Sequence, residues 1–334
     1  MKSKFVCIAG KNNIAVKVLE YIFEKNEKDY ELGIVCNRTE TGIDGWQRSF
    51  RKYAKELGIK EYRLEDVYNI DNLVFVSLEF DQIVKPEKFK NARLYNIHFS
   101  LLPAYKGMYT STIPLLNGEK KTGVTLHCID AGIDTGDIIA QKEFAIDKNY
   151  TAGDVYCSYL KYGTELVIEY IDDVINNNVT ATKQSAEGST YYSKKSIDYN
   201  NIQIDLQQTA ENIYNQLRAF NFREYQMPIV YERPIIASKI LENSTKGKSG
   251  TILQANNAGI TIATIDYDMV LYYDRFEELM HACEQGNLAL VKEICSVPRH
   301  INEKNDSGLT PVIVAKNNGH QDVVNYLLSV GAYI

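Results

Sequence analysis

Asn96-Ile97-His98-Phe99-Ser100-Leu101-Leu102-Pro103 is the stretch on which the reading of this chain turns. Leu94-Tyr95-Asn96-Ile97 has the character of a strand end, and Pro103 and Gly107 interrupt any regular structure beyond it. Residues two apart on a strand point to the same side of the pleat, so Asn96 and His98 stand side by side where the strand stops. Further on, Asp130-Ala131-Gly132-Ile133-Asp134-Thr135-Gly136 reads as a tight turn, with Gly132 and Gly136 available for positive φ. That turn presents Asp134 from a neighbouring element. An amide donor, an imidazole and a carboxylate brought together suit acyl transfer from an amide-like donor to an amine.

Working outward, the first half of the chain alternates strands and helices. Phe5-Val6-Cys7-Ile8-Ala9 is a continuous apolar run, as a buried parallel strand requires. The turn at Gly10 leads to a helix whose apolar face carries Ile14, Val18, Leu19 and Ile22. Strands are expected at 31–37 and 73–78, with a helix near 46–57 between them. This pattern predicts an α/β class with a Rossmann-like, mostly parallel sheet. The Gly10 turn is neither G-x-G-x-x-G nor a Walker A loop, so neither NAD nor ATP is expected. Residues 110–116 read as a short helix, and 122–129 and 137–146 as strands flanking the Asp134 turn. Thr151-x-x-Asp154 opens a long helix to about Asn177. Its Tyr156, Tyr159, Tyr162, Leu166 and Tyr170 recur at helical spacing and read as packing. A catalytic domain is expected over 1–205, a linker helix and small β subdomain over 206–274.

The tail differs in kind. Asn305-Asp306-Ser307-Gly308-Leu309-Thr310-Pro311, then Asn318-Gly319-His320, resembles an ankyrin repeat. Upstream, Gly286 stands thirty-three residues before Gly319, the ankyrin period. About two α-helical ankyrin repeats are therefore expected over 275–334. So few cannot bury their own apolar faces, so the module should pack against the β subdomain or another subunit. It is expected to be structural, or to bind a second ligand or a protein.

The central motif, Asn-x-His-x-Ser-Leu-Leu-Pro followed by Gly123-x-Thr125-x-x-x-x-Asp130-x-Gly132-x-Asp134-Thr135-Gly136, resembles the N10-formyltetrahydrofolate-dependent formyltransferases. Asp134 comes thirty-six residues after His98. Phe99 departs from the pattern, where relatives more often carry Pro or Gly. The resemblance implies Asn96, His98 and Asp134 as catalytic residues. It implies N10-formyltetrahydrofolate as co-substrate, held by Ser77, Leu78, Phe80, Asp81, Ile83 and Asp130, and no metal. Of the substrates used in that family, a nucleotide-linked amino sugar fits best, with dTDP the expected nucleotide. The substrate-binding residues implied are Tyr105, Lys106, Gly107, Met108 and Tyr109, with Asn221, Arg223 and Tyr225 from a second segment that offers Arg to a diphosphate and aromatics to a base. The expected role is surface-polysaccharide (O-antigen) synthesis by a cytoplasmic homodimer. The alternatives are a methionyl-tRNA formyltransferase and a non-catalytic ankyrin interaction protein.

Composition bounds these readings. Hydrophobic residues at 45% and charged ones at 24% suit a globular protein with a real core. A formal net charge of −6 with no Lys/Arg run argues against a nucleic-acid partner. The six cysteines show neither C-x-x-C nor zinc spacing and read as buried thiols of a reducing compartment. No signal peptide or membrane-spanning apolar run is visible, so no membrane partner is expected.

Overall fold

The computed structural model describes residues 4–25, 29–297, 301–305 and 307–333; Met1–Ser3 and Asp306 of the repeat motif lie outside them. The chain forms two compact units, residues 1–114 with 119–198, and residues 115–118 with 199–334.

In chain order the first unit holds β1 (Lys4–Gly10), α1 (Asn12–Lys25), β2 (Tyr30–Cys36), α2 (Phe50–Glu56), β3 (Lys60–Glu61), α3 (Leu64–Val67), β4 (Leu73–Leu78) and β5 (Ala92–His98). Then come β6 (Lys106–Gly107), the short α4 (Ile113–Leu116) that spans the unit boundary, β7 (Lys121–Cys128), β8 (Ile138–Ala145), α5 (Ala152–Asn176) and β9 (Tyr191–Tyr192). The main sheet has the order β3-β2-β1-β4-β5-β7-β8. Strands β1 to β5 run parallel, and β7 and β8 are antiparallel additions at one edge. The expected mostly parallel sheet is present. Phe5, Cys7 and Ala9 join Phe75 and Leu94 in a cluster on one face, while Val6 and Ile8, pointing the other way, are equally enclosed. A sheet covered on both faces needs such uninterrupted apolar strands. Each fully enclosed Leu, Val or Phe of β4 contributes about 1.5–3 kcal/mol relative to exposure.

Helix limits follow local caps. The helix expected from Trp46 begins only at Phe50, because the Ser49 hydroxyl accepts from the Lys52 N–H and leaves Trp46 in the preceding loop. Thr151 and Asp154 form the expected capping box of α5, which ends at left-handed Asn177. Gly10 is required by packing against β4. A Cβ there would lie 1.9 Å from the Leu78 carbonyl oxygen.

In the second unit, α6 (Ala210–Ala219) is capped by Thr209. It packs Ile213 and Leu217 onto an antiparallel sheet of β10 (Ile229–Val230), β11 (Arg233–Ile240), β12 (Ile252–Asn256), β13 (Gly259–Ile262) and β14 (Met269–Tyr273), ordered β10-β11-β14-β13-β12. Two helix pairs complete the unit: α7 (Phe276–Glu284) with α8 (Leu288–Ile294), and α9 (Pro311–Asn317) with α10 (Gln321–Ser329). They share one apolar cluster that includes Leu279, Val291, Val312 and Leu327. Gly286 and Gly319 both take positive φ after the first helix of each pair. His320 of the second pair rests on the turn of the first and donates from Nε2 to the Glu284 carbonyl at 2.8 Å.

Candidate active site

The site assembles where β5 ends beside β7. The antiparallel register sets Asn96 opposite His127 and His98 opposite Thr125. Asn96 Nδ2 lies 3.1 Å from His127 Nε2, and His127 Nδ1 lies 2.7 Å from the Cys128 carbonyl oxygen. A carbonyl only accepts, so Nδ1 of His127 carries the proton and its Nε2 accepts from the Asn96 amide. One N–H of that amide is thereby spent on positioning and the other is left for a ligand.

His98 is buried and donates from Nε2 to the Tyr105 carbonyl at 2.8 Å. That bond fixes the tautomer and leaves Nδ1 with its lone pair, 3.4 Å from Asp134 Oδ2. The Gly107 N–H donates to the same Oδ2 at 2.8 Å, and Asp134 Oδ1 is 3.7 Å from His127 Nε2. Burial pushes the His98 pKa below its usual value, more strongly than the Asp134 charge and the Tyr105 carbonyl push it back. Burial works to raise Asp134, but His98, His127 and the Gly107 N–H outweigh it and hold the carboxyl at about 2. The pair at rest is a neutral imidazole beside a carboxylate.

The turn that carries Asp134 differs from its sequence reading. Gly132 and Gly136 do not take positive φ; Asp134 does, at φ 53°. The glycines are required by close approach, since a Cβ on Gly136 would fall 1.8 Å from the Cys128 carbonyl oxygen and one on Gly132 2.0 Å from Thr135 Oγ1. Asp130 Oδ1 accepts from the Gly132 N–H and the Thr135 hydroxyl, and the Gln184 amide donates to both the Asp134 and Gly136 carbonyls at 2.8 Å. The loop thus holds Asp134 in a backbone region that L-residues enter at a cost of about 1–2 kcal/mol.

These groups open on a cavity of about 600 Å³, the size of a small-molecule site. Asn96, His98, His127 and Asp134 line it. So do Ser77, Phe80, Asp81, Ile83 and Asp130 of the residues expected to hold folate; Leu78 lies beneath, fully enclosed. Phe99 also lines it, stacked on Tyr159 with ring centres 5.2 Å apart. Gly107 and Met108 reach the wall, and their neighbours are otherwise engaged. Tyr105 stacks on Tyr192 and gives its hydroxyl to Glu119, Lys106 donates to Ser189 Oγ, and the Tyr109 hydroxyl donates to the Lys194 carbonyl.

The remaining expected substrate residues lie in the second unit. Asn221 is buried and donates to the Ile236 carbonyl at 2.8 Å. Arg223 was expected to be available to a diphosphate. Instead its guanidinium makes two bonds to Asp274, at 2.9 and 2.7 Å, pairs with Glu303 and lies over the Phe276 ring. Both carboxylates are remote in sequence, so no local pattern announced them. Tyr225 is exposed and meets Phe222 edge-on.

Two contributors escaped the sequence reading. His127 sits two residues beyond Thr125 on β7, and its alternation on that strand was the available signal. Tyr156, read as packing, places its hydroxyl 2.6 Å from Glu79 Oε1. Among the described residues no group of three or more His, Cys, Asp or Glu could hold a metal ion, and no helix is long and apolar enough to cross a membrane.

Comparison with known proteins bears on this geometry. The formyl transferase model matches residues 61–171, the formyl transferase C-terminal domain matches 196–277, and ankyrin repeats match 267–334. The structure of the N-formyltransferase from Helicobacter canadensis, in complex with folinic acid and dTDP-3-aminofucose, is 43% identical with a TM-score of 0.74, covering 80% of this chain and 99% of that one. WlaRD, a sugar 3N-formyl transferase determined in the presence of dTDP and 5-N-formyl-THF, is 42% identical with a TM-score of 0.76, covering 82% and 98%. Methionyl-tRNA formyltransferase from Clostridioides difficile is 28% identical over 78% of this chain and 88% of its own length.

Proposed function

Because this chain belongs to the formyl transferase family, we propose that it transfers the formyl group of N10-formyltetrahydrofolate to the amine of a dTDP-linked amino-dideoxy sugar. The observation that carries the reading is the convergence of Asn96, neutral His98 and ionised Asp134 on one cavity. The two sugar N-formyltransferases at 42–43% identity, whose ligands are a formyl-folate and dTDP or a dTDP-amino sugar, support the acceptor class over tRNA, as does the net charge of −6.

The folate supplies an activated one-carbon unit on nitrogen. The ring would lie against Phe80 and Ile83, between the 77–84 segment and the Asp130 turn. Attack of the amine on the formyl carbon builds negative charge on its oxygen, and the Asn96 N–H not bonded to His127 donates to it. Losing one such donor costs roughly 10²–10³ in rate. His98 Nδ1 accepts the proton that the attacking nitrogen sheds, and Asp134 Oδ2 stabilises the resulting imidazolium at 3.4 Å. The imidazolium returns that proton to the departing folate nitrogen, leaving an N-formyl sugar and tetrahydrofolate. Ring orientation comes chiefly from the Tyr105 carbonyl, and Asp134 serves the charge.

The product suits surface-polysaccharide synthesis, and the reading extends to a cytoplasmic homodimer whose ankyrin module engages a second ligand or a protein. The purified protein should release tetrahydrofolate with dTDP-amino sugars and not with the UDP or GDP counterparts. Turnover on charged initiator tRNA with none on any amino sugar would overturn the proposal.

A further inference from the structure

The cavity contains a carboxyl that formyl transfer, as derived above, does not use. Glu79 follows the last residue of β4 in a left-handed conformation (φ 56°), its carbonyl held by Asn37 Nδ2 at 2.9 Å. The β4–β5 register pairs Ser77 with Asn96 and Leu78 with Ile97, which brings Glu79 abreast of His98 at the ends of neighbouring strands. The side chain enters a network directed toward it. The Asn13 N–H donates to Gln47 Oε1, which turns Gln47 Nε2 to the Tyr156 hydroxyl at 3.2 Å. Asn12 Nδ2 also donates to that hydroxyl, at 3.2 Å. Tyr156 therefore receives two donors, and its own proton goes to Glu79 Oε1 at 2.6 Å, while Asn12 Nδ2 gives to Oε2 at 3.3 Å.

Every bond in this network runs toward Glu79, which is its terminal acceptor. A carboxylate has about four acceptor positions, and two are filled from within the protein. The surface Glu79 retains forms part of the cavity wall. Burial raises the Glu79 pKa, with Tyr156, Lys11 and Asn12 working against it, so a half-buried acceptor with positions to spare is best completed by a donor from the ligand. Neighbouring strands lie about 4.8 Å apart. A reacting amine at His98 leaves a hydroxyl on the adjoining sugar carbon within reach of the neighbouring strand end, which is that of Glu79. We propose that Glu79 is a specificity-determining residue that accepts a hydrogen bond from the acceptor sugar's hydroxyl vicinal to the formylated amine. Asn12, Gln47 and Tyr156 are positioning residues that hold its carboxylate. The inference rests on the amino-sugar reading above.

The test compares the native protein with Glu79→Gln and Tyr156→Phe, using a dTDP-amino sugar and its analogue deoxygenated next to the amine. Glu79→Gln keeps the shape and puts a donor where an acceptor stood. It should lower kcat/KM on the hydroxylated sugar 10- to 100-fold, mainly through KM, and leave the deoxy sugar and the folate KM within about 3-fold. Tyr156→Phe should lose less, with the same selectivity between the two sugars. Quenching of Trp46, the single tryptophan, whose ring centre is 5.9 Å from that of Tyr156, reads acceptor affinity without folate. Equal losses on both sugars, or a shift in the folate KM instead, would overturn the assignment. Native protein inactive on every amino sugar would sink the underlying reading, and native activity without selectivity in the variants would sink this inference alone.

Discussion

The strand-end site and the Arg223 cluster look alike in sequence and differ in structure. Each gathers charged and amide groups beside aromatics. Around Asn96, His98 and Asp134 the hydrogen-bonding capacity is left incomplete. One amide N–H is left over and the imidazole lone pair at Nδ1 stands beside the Asp134 carboxylate at the cavity wall, held by Tyr105 and Asp134 in left-handed backbone. Around Arg223 the groups are turned on one another: over Phe276, the guanidinium makes both its hydrogen bonds to Asp274 and pairs with Glu303, whose carboxyl burial pushes up to about 7. Polar groups with capacity to spare act on ligands, and polar groups that complete one another hold elements together.

The largest effects should come from breaking the first region. His98→Asn removes the proton acceptor and should cut kcat by about 10²–10⁴, while Asn96→Ala should cost about 10²–10³, both read as tetrahydrofolate release with folding checked by circular dichroism. Full turnover in either variant would remove that residue from the chemistry. In the second region, Arg223→Ala leaves two partly buried carboxylates without their cation, one of them already raised to about 7 by burial, and should cost about 1–3 kcal/mol in urea unfolding, with kcat retained. A selective rise in the KM for dTDP-sugar, with stability unchanged, would instead make the cluster a binding site.

Smaller effects come from titration. Asp134 has a folded pKa of about 2, below its unfolded value, so its contribution is present above about pH 3.8 and lost as pH falls toward 2. At roughly 2 kcal/mol, that loss should disappear from the acid-unfolding curve of Asp134→Asn. His98 must be neutral to accept a proton, and burial lowers its pKa. The acid limb of kcat/KM should therefore lie below pH 6.5, and an inflection above 6.5 would contradict the neutral-imidazole arrangement. The same depression makes the folded state bind fewer protons than the unfolded one, so the His98 contribution to stability declines as pH falls through 6.5.

Much of this was legible in the chain itself. The apolar run at 5–9, the Thr151–Asp154 cap and the separate turns at Gly286 and Gly319 are each set within a few residues, so sequence alone determined those elements. The pairing of Asn96 with His98 came likewise from the two-residue repeat of a strand. Tertiary structure decided what depends on partners distant in sequence. Register across β5 and β7 brought His127 to Asn96, and a helix more than seventy residues downstream brought Tyr156 to Glu79. Asp274 and Glu303 took Arg223 from solvent. Sequence periodicity records which side of its own element a residue faces; which groups complete its hydrogen bonds is fixed only when the elements pack, and that completion separates a site from a strut.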